Sequence, residues 1–190
     1  MSDFIKVGSL QPEDKKTVTQ LLIDSYQQYE EVFRSPEAWA EYLENITVSL
    51  DNPNLDEVLV ARNGDQIVGS IQMFASGEMA YQREELAVKH PVIRLLAVHP
   101  DARGLGVAQA LLRESIDRAA NNGASYLYLH TGDIMQKARE LYEWLGFKRD
   151  EAYEFSNGDS LVRCYFVDLH EYRQSVTKRA SKEVMEAVDA

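Results

Sequence analysis

One cysteine in 190 residues, Cys164, leaves this chain unable to close an intramolecular disulfide. Flanked by Tyr165 and Phe166, that thiol reads as a buried apolar side chain, which suits a reducing cytoplasm. No apolar run is long enough to span a bilayer. The opening residues, Met1-Ser2-Asp3-Phe4-Ile5-Lys6, also lack the basic and then apolar order of an export signal, so neither export nor a membrane location is expected. Basic charge is scarce, with 20 Lys and Arg against 31 Asp and Glu and a formal charge of −11. That balance argues against nucleic-acid binding, which depends on neutralising phosphates with cations. The four histidines show no paired ligand spacing and the cysteine is isolated, so no metal is expected. A serine-hydrolase elbow is missing as well.

What remains is a chain of single-domain length, 45% hydrophobic and 27% charged, enough for a sizeable core. Its patterning predicts a strand over 4–10 and a helix opened by Pro12-Glu13-Asp14, with Val18, Leu21, Leu22, Tyr29, Val32 and Phe33 on one face. Ser35-Pro36-Glu37 caps a second helix whose stripe is Trp39, Tyr42, Leu43 and Ile46. Strands over 58–61 and 66–74 flank the hairpin signal Asn63-Gly64, and 75–90 reads as a loop. A strand over 92–98 precedes a helix over 105–121 with Ala108, Leu111, Leu112, Ser115, Ile116 and Ala119 inward, ended by Gly123. A strand over 126–129, a helix over 134–145 stopped by Gly146, and a strand from Phe147 follow. Asn157-Gly158 then signals a hairpin returning over 161–169. The whole reads as a mixed α/β sheet with a polar tail over 171–190. Helical spacing at Val176, Ala180 and Val184 would let that tail pack, dimerise or fray.

The run Arg103-Gly104-Leu105-Gly106-Val107-Ala108 lies between the strand ending Val98-His99-Pro100 and an amphipathic helix. A turn that opens a helix offers unpaired amides and the positive end of the helix dipole, which together favour anions. Glycine turns before helices mostly just reverse the chain, so the spacing alone assigns no ligand. Two nucleotide motifs fail here. Gly106 is followed by Val107 and Ala108 where a P-loop needs Lys and Ser or Thr, and Gln109 occupies the third glycine position of the dinucleotide fingerprint.

The pattern Arg103-x-x-Gly106-x-Ala108, directly after that strand, resembles the GCN5-related N-acetyltransferases. A second segment, Ala138-Arg139-Glu140-Leu141-Tyr142-Glu143-Trp144-Leu145-Gly146-Phe147, is similar to that family's Ala-x-x-Leu-Tyr-x-x-x-Gly-Phe at the expected distance. The resemblance implies an α/β fold with a mixed, mainly antiparallel central sheet of about seven strands, flanked by helices. In that fold the parallel fourth and fifth strands splay apart and pantetheine pairs like an added strand. It further implies an N-acetyltransferase domain over 1–170, an extension over 171–190, and acetyl-coenzyme A as acyl donor to a small-molecule or peptide amine. Leu96, Ala97 and Val98 would supply the strand edge, while Arg103, Gly104, Leu105, Gly106, Val107 and Ala108 would hold the pyrophosphate. Met135 stands where relatives often carry a cofactor-contacting asparagine.

Helical spacing groups Tyr142 with Ala138 and Leu145 on the face turned toward the sheet. By itself such a tyrosine reads as core; the resemblance gives it the role of acid for the departing thiolate. Many relatives place an acidic base on the fourth strand, but Val92-Ile93-Arg94-Leu95-Leu96-Ala97-Val98 contains none. Glu84, Glu85, His130 and Asp133 remain as candidate bases, directly or through water, unless the acceptor arrives neutral. Tyr26, Tyr29, Glu30, Glu31 and Phe33 fall in the region that shapes acceptor choice in the family, though solvated glutamates over buried rings fit them equally. The missing strand carboxylate also motivates a different reading, an acyl-coenzyme A-binding module without turnover.

Overall fold

A computed structural model describes residues 5–83, 86, 88–157 and 160–188. The chain divides into two units, Met1–Asp117 and Arg118–Ala190, and the division falls inside helix α4 (Val107–Asn121).

In the first unit, β1 (Lys6–Ser9), β2 (Glu57–Asn63), β3 (Gln66–Phe74) and β4 (Val92–Val98) run antiparallel in that order. All of β3 beyond Gln66 is buried, because helices pack against both of its faces. Helix α1 (Lys15–Tyr26) crosses β3 and β4 on one face with Val18, Leu21, Leu22, Ser25 and Tyr26 buried. On the other face α4 approaches so closely that a Cβ at Gly69 would lie 2.5 Å from Val107 Cγ1. The expected hairpin at Asn63-Gly64 forms, with Gly64 at φ +59°.

Three local expectations change in this unit. The α-helix ends at Tyr26 and continues as 3₁₀ turns over Gln27–Val32. Three residues per turn in place of 3.6 rotate the face, so Val32 is exposed although the helical stripe would bury it. The stretch read as a loop contains a short helix, α3 (Gly77–Tyr81), capped by Ser76, whose Oγ accepts from the Met79 amide at 3.3 Å. Helix α4 begins at Val107, two residues late, because Leu105 belongs to the glycine turn and is exposed. Helix α2 (Pro36–Thr47) starts as expected, with Ser35 Oγ accepting from the Ala38 amide at 3.1 Å. Rings from Tyr26, Tyr29, Phe33, Trp39 and Tyr42 cluster around α1 and α2 with centroids 5.0 to 6.1 Å apart.

In the second unit β8 (Ser160–Asp168) is central, antiparallel to β5 (Tyr126–Gly132), β6 (Lys148–Arg149) and β7 (Phe155–Asn157). Asn157 pairs with Ser160, as the hairpin signal predicts, while Gly158 lies outside the described residues. Helix α5 (Gln136–Trp144) ends at Gly146, whose φ of +97° lets the Phe147 amide return to the Tyr142 carbonyl at 3.0 Å. Gly123, at φ +84°, closes α4 in the same way. Ile134, expected in α5, precedes it and is exposed. The tail forms α6 (Leu169–Val188), capped by Asp168 Oδ1, which accepts from the His170 and Glu171 amides at 2.9 and 3.0 Å. Among the described residues no helix is long and apolar enough to cross a membrane.

Candidate active site

Strand β4 is regular up to Arg94, which pairs with Gln72, and regular again from Ala97, which pairs with Ser70. Leu95 and Leu96 therefore stand opposite the single residue Ile71, and Leu95 takes φ +49°. This is a bulge built on a left-handed leucine, a conformation that costs about 1–3 kcal/mol and persists only where the surroundings enforce it. Past the bulge the His99 amide donates to the Val68 carbonyl at 2.9 Å, so alternation turns the backbone groups of Leu96 and Val98 away from β3 and Ala97 toward it.

Both outward groups are held by the end of α1. Tyr26 donates its hydroxyl to the Leu96 carbonyl at 3.1 Å, and the Val98 amide donates to Ser25 Oγ at 3.1 Å. Arg103 Nη2 donates to the Ser25 carbonyl at 3.3 Å, tying the glycine turn to the same helix end. Burial pushes the Tyr29 hydroxyl above its ordinary range, and the Arg103 charge opposes that shift. Sequence reasoning named Tyr26 only as an acceptor-side ring and missed Ser25 altogether. Nothing local marks a helix-end serine as the partner of a distant strand.

In the turn, Gly104 and Gly106 have φ +81° and +79°, with no atom within 4 Å of an added Cβ. Glycine is required here by backbone handedness, not by crowding. The Arg103 and Leu105 amides are engaged by Pro100 and Ala102 carbonyls at 3.4 Å. The Val107 and Ala108 amides belong to the first turn of α4, which has no acceptor inside the helix. Val107 is buried and anchors that turn beneath Gly69. The result is a helix end with positive potential and open space in front of it.

The second unit holds Tyr142, His130, Asp133 and Met135. Tyr142 is buried, its ring against Phe147 and Tyr165 at 5.9 and 6.3 Å, and Leu145 is buried beside it. His130 Nε2 lies 2.9 Å from the Tyr153 carbonyl, which can only accept, so Nε2 carries the proton and Nδ1 is the basic nitrogen. Asp133 Oδ1 pairs with Arg163 Nε at 2.6 Å and Arg139 Nη1 at 4.0 Å. Met135 precedes α5 and its sulfur accepts from Thr131 Oγ1 at 3.6 Å. Glu84 and Glu85 lie outside the described residues. Among the described residues no group of His, Cys, Asp and Glu is arranged to hold a metal ion.

Solved structures sharing this fold include acetyltransferases. The histone acetyltransferase HPA2 and related acetyltransferase of Corynebacterium glutamicum superposes with a TM-score of 0.67 at 19% identity, covering 86% of this chain and 96% of its own. The PaiA N-acetyltransferase of Thermoplasma acidophilum, solved in complex with coenzyme A, gives a TM-score of 0.59 at 17% identity, covering 85% and 98%. At such identities the likeness is one of fold, and it is the mixed α/β fold expected from the sequence.

The family model of the acetyltransferase (GNAT) family matches residues 16–147, and the chain belongs to that family. Rat N-acetyltransferase 8B is 32% identical over 111 residues, 58% of this chain and 48% of that protein. The chain spans about half the length of the curated relatives it matches.

Proposed function

We propose that this chain transfers the acetyl group of acetyl-coenzyme A to an amine by direct attack while both are bound. The turn over 103–108 carries the reading. It joins two left-handed glycines to the open first turn of α4, directly after a bulged strand that turns two backbone groups outward. Coenzyme A fits this turn: the amides of Gly104, Gly106, Val107 and Ala108 would take the pyrophosphate, and Leu96 and Val98 the pantetheine amides. When bound, the donor supplies an activated acyl group as a thioester.

An unprotonated acceptor nitrogen attacks the thioester carbonyl, forming the C–N bond as the C–S bond breaks. Tyr142 is assigned to protonate the leaving sulfur, a role in which general acids typically contribute about 10²- to 10⁴-fold. The acceptor's proton goes to His130 Nδ1, directly or through water, unless the amine arrives neutral. The two guanidinium groups on Asp133 favour His130 over it as base. Met135 presents no polar side-chain donor to the cofactor, so binding rests on main-chain amides. The cytoplasm is the proposed setting, consistent with a single buried thiol.

Thiol release from acetyl-coenzyme A, measured against a pooled panel of amines, tests the proposal. Release that requires an amine and is lost in Gly106→Val supports it. Tight acetyl-coenzyme A binding with no release on any amine favours the second reading, a binding module without turnover, which the lack of any carboxylate on β4 motivates.

A further inference from the structure

Arg94 lies on β4 immediately before the bulge and shares a sheet face with its register partner Gln72. Gln72 Nε2 donates to Ser49 Oγ at 2.8 Å, just past α2, so this is the face that α1, α2 and their aromatic cluster cover. Arg94 as a residue is half-buried. Its Cζ lies 4.8 Å from the centre of the Tyr81 ring and 6.0 Å from that of Phe74, and Nη1 donates to the Ala80 carbonyl at 2.6 Å. The Tyr42 hydroxyl is close enough to feel the charge, which opposes the burial that pushes it up to about 12.

Among the described residues no carboxylate pairs with this cation. A guanidinium has five N–H donors in a planar fork, and the described residues engage one. Partly removing it from water without a counter-charge is costly, and aromatic faces and one carbonyl offset only part of that cost. A carboxylate arriving in the plane of the fork would supply two charge-assisted hydrogen bonds at once. The chain as a whole carries −11 and repels anions, so a local cation is what an anionic acceptor would need.

We propose that Arg94 recognises a carboxylate on the acceptor, so that the amine acetylated is that of an amino acid or a similar amine bearing a nearby acid. This rests on the acetyl-transfer reading and narrows its substrate class. Tyr81 and the Ala80 carbonyl at the end of α3 aim the fork. The cluster of Tyr26, Tyr29, Phe33, Trp39 and Tyr42 lies on the same sheet face, suited to an apolar remainder of the molecule.

The test compares amino acids with their primary amides, phenylalanine with phenylalaninamide and so on through the standard set, by thiol release from acetyl-coenzyme A. Wild type, R94K and R94Q are measured, with melting temperature and acetyl-coenzyme A affinity establishing the fold of each. Amidation also lowers the amine's own pKa, so the informative quantity is how the acid-to-amide ratio of kcat/KM changes between variants. R94Q is expected to lower that ratio about 10²-fold, chiefly through KM, and R94K about tenfold because it keeps the charge but loses the fork. Calorimetric binding of N-acetylphenylalanine and its amide, with coenzyme A present, gives the same comparison without turnover. A ratio that does not move, as when Arg94 only pins α3 to the sheet, overturns the proposal. So does a panel in which no carboxylate is turned over or bound. Turnover of amines lacking an acid, indifferent to position 94, would leave acetyl transfer standing and this inference refuted. Arg94-dependent binding of the N-acetyl acids with no thiol release on any amine would do the reverse.

Discussion

Gly106→Val meets open space, so its penalty is backbone strain at φ +79° and not collision. That strain is worth about 1–3 kcal/mol, and relieving it reshapes the turn. Acetyl-coenzyme A affinity should fall by at least about tenfold in a titration; an unchanged affinity would remove the turn from the site. Tyr142→Phe keeps the buried ring and deletes the hydroxyl, and kcat should drop about 10²- to 10⁴-fold with KM little altered. Cys164 offers a pH experiment. Burial pushes its thiol from 9.0 up to about 12, so the unfolded chain ionises there first. Stability from this group is complete below pH 9 and is lost as pH rises toward 12, with a slope of up to about 1.4 kcal/mol per pH unit. Denaturant titrations of wild type and Cys164→Ala between pH 8 and about 11 should diverge in slope by that sign; parallel curves would contradict it. The buried thiol was legible because Tyr165 and Phe166 flank it, whereas the environment of Arg94 depends on α3, which no local pattern announces.

At the scale of elements, sequence succeeds where one short segment carries its own chemistry. Ser35 before Pro36, Asn63-Gly64, Gly123 and Gly146 each satisfy backbone groups within a few residues, and each marks its boundary correctly. Ser35→Ala should accordingly cost about 0.5–2 kcal/mol in a denaturation measurement. The bulge at Leu95 and the change to 3₁₀ turns after Tyr26 are invisible for the opposite reason, since partners far away in sequence decide them. Residue 26 reaches residue 96 and residue 25 reaches residue 98. If those strand groups serve pantetheine, the end of α1 must yield them. Tyr26→Phe should then raise acetyl-coenzyme A affinity several-fold while costing about 1 kcal/mol of stability. Loss of affinity in that variant would show the hydroxyl to be part of the donor site.

For the molecule as a whole, a charge of −11 argues against nucleic acid, and the cations that matter are local. Arg94 and Arg103 both serve the face on which α1 lies. Helix α6 is buried at Leu169 and exposed from Arg173 through Glu183. Ending the chain after Gln174 should therefore change unfolding free energy by no more than about 0.5 kcal/mol. A larger loss would reveal a packing role for that helix. The bulge in β4 also acts on the whole chain as a change of phase. One extra residue places Arg94 and Ala97 on the same face although three positions separate them, so a single strand carries two inside-outside patterns in succession. Strict alternation through Leu95 and Leu96, with no bulge, would keep the first pattern and invert the second, carrying the glycine turn one residue further along β3 with its faces exchanged. Leu95 thus sets the reading frame in which the strand hands over to everything that follows it.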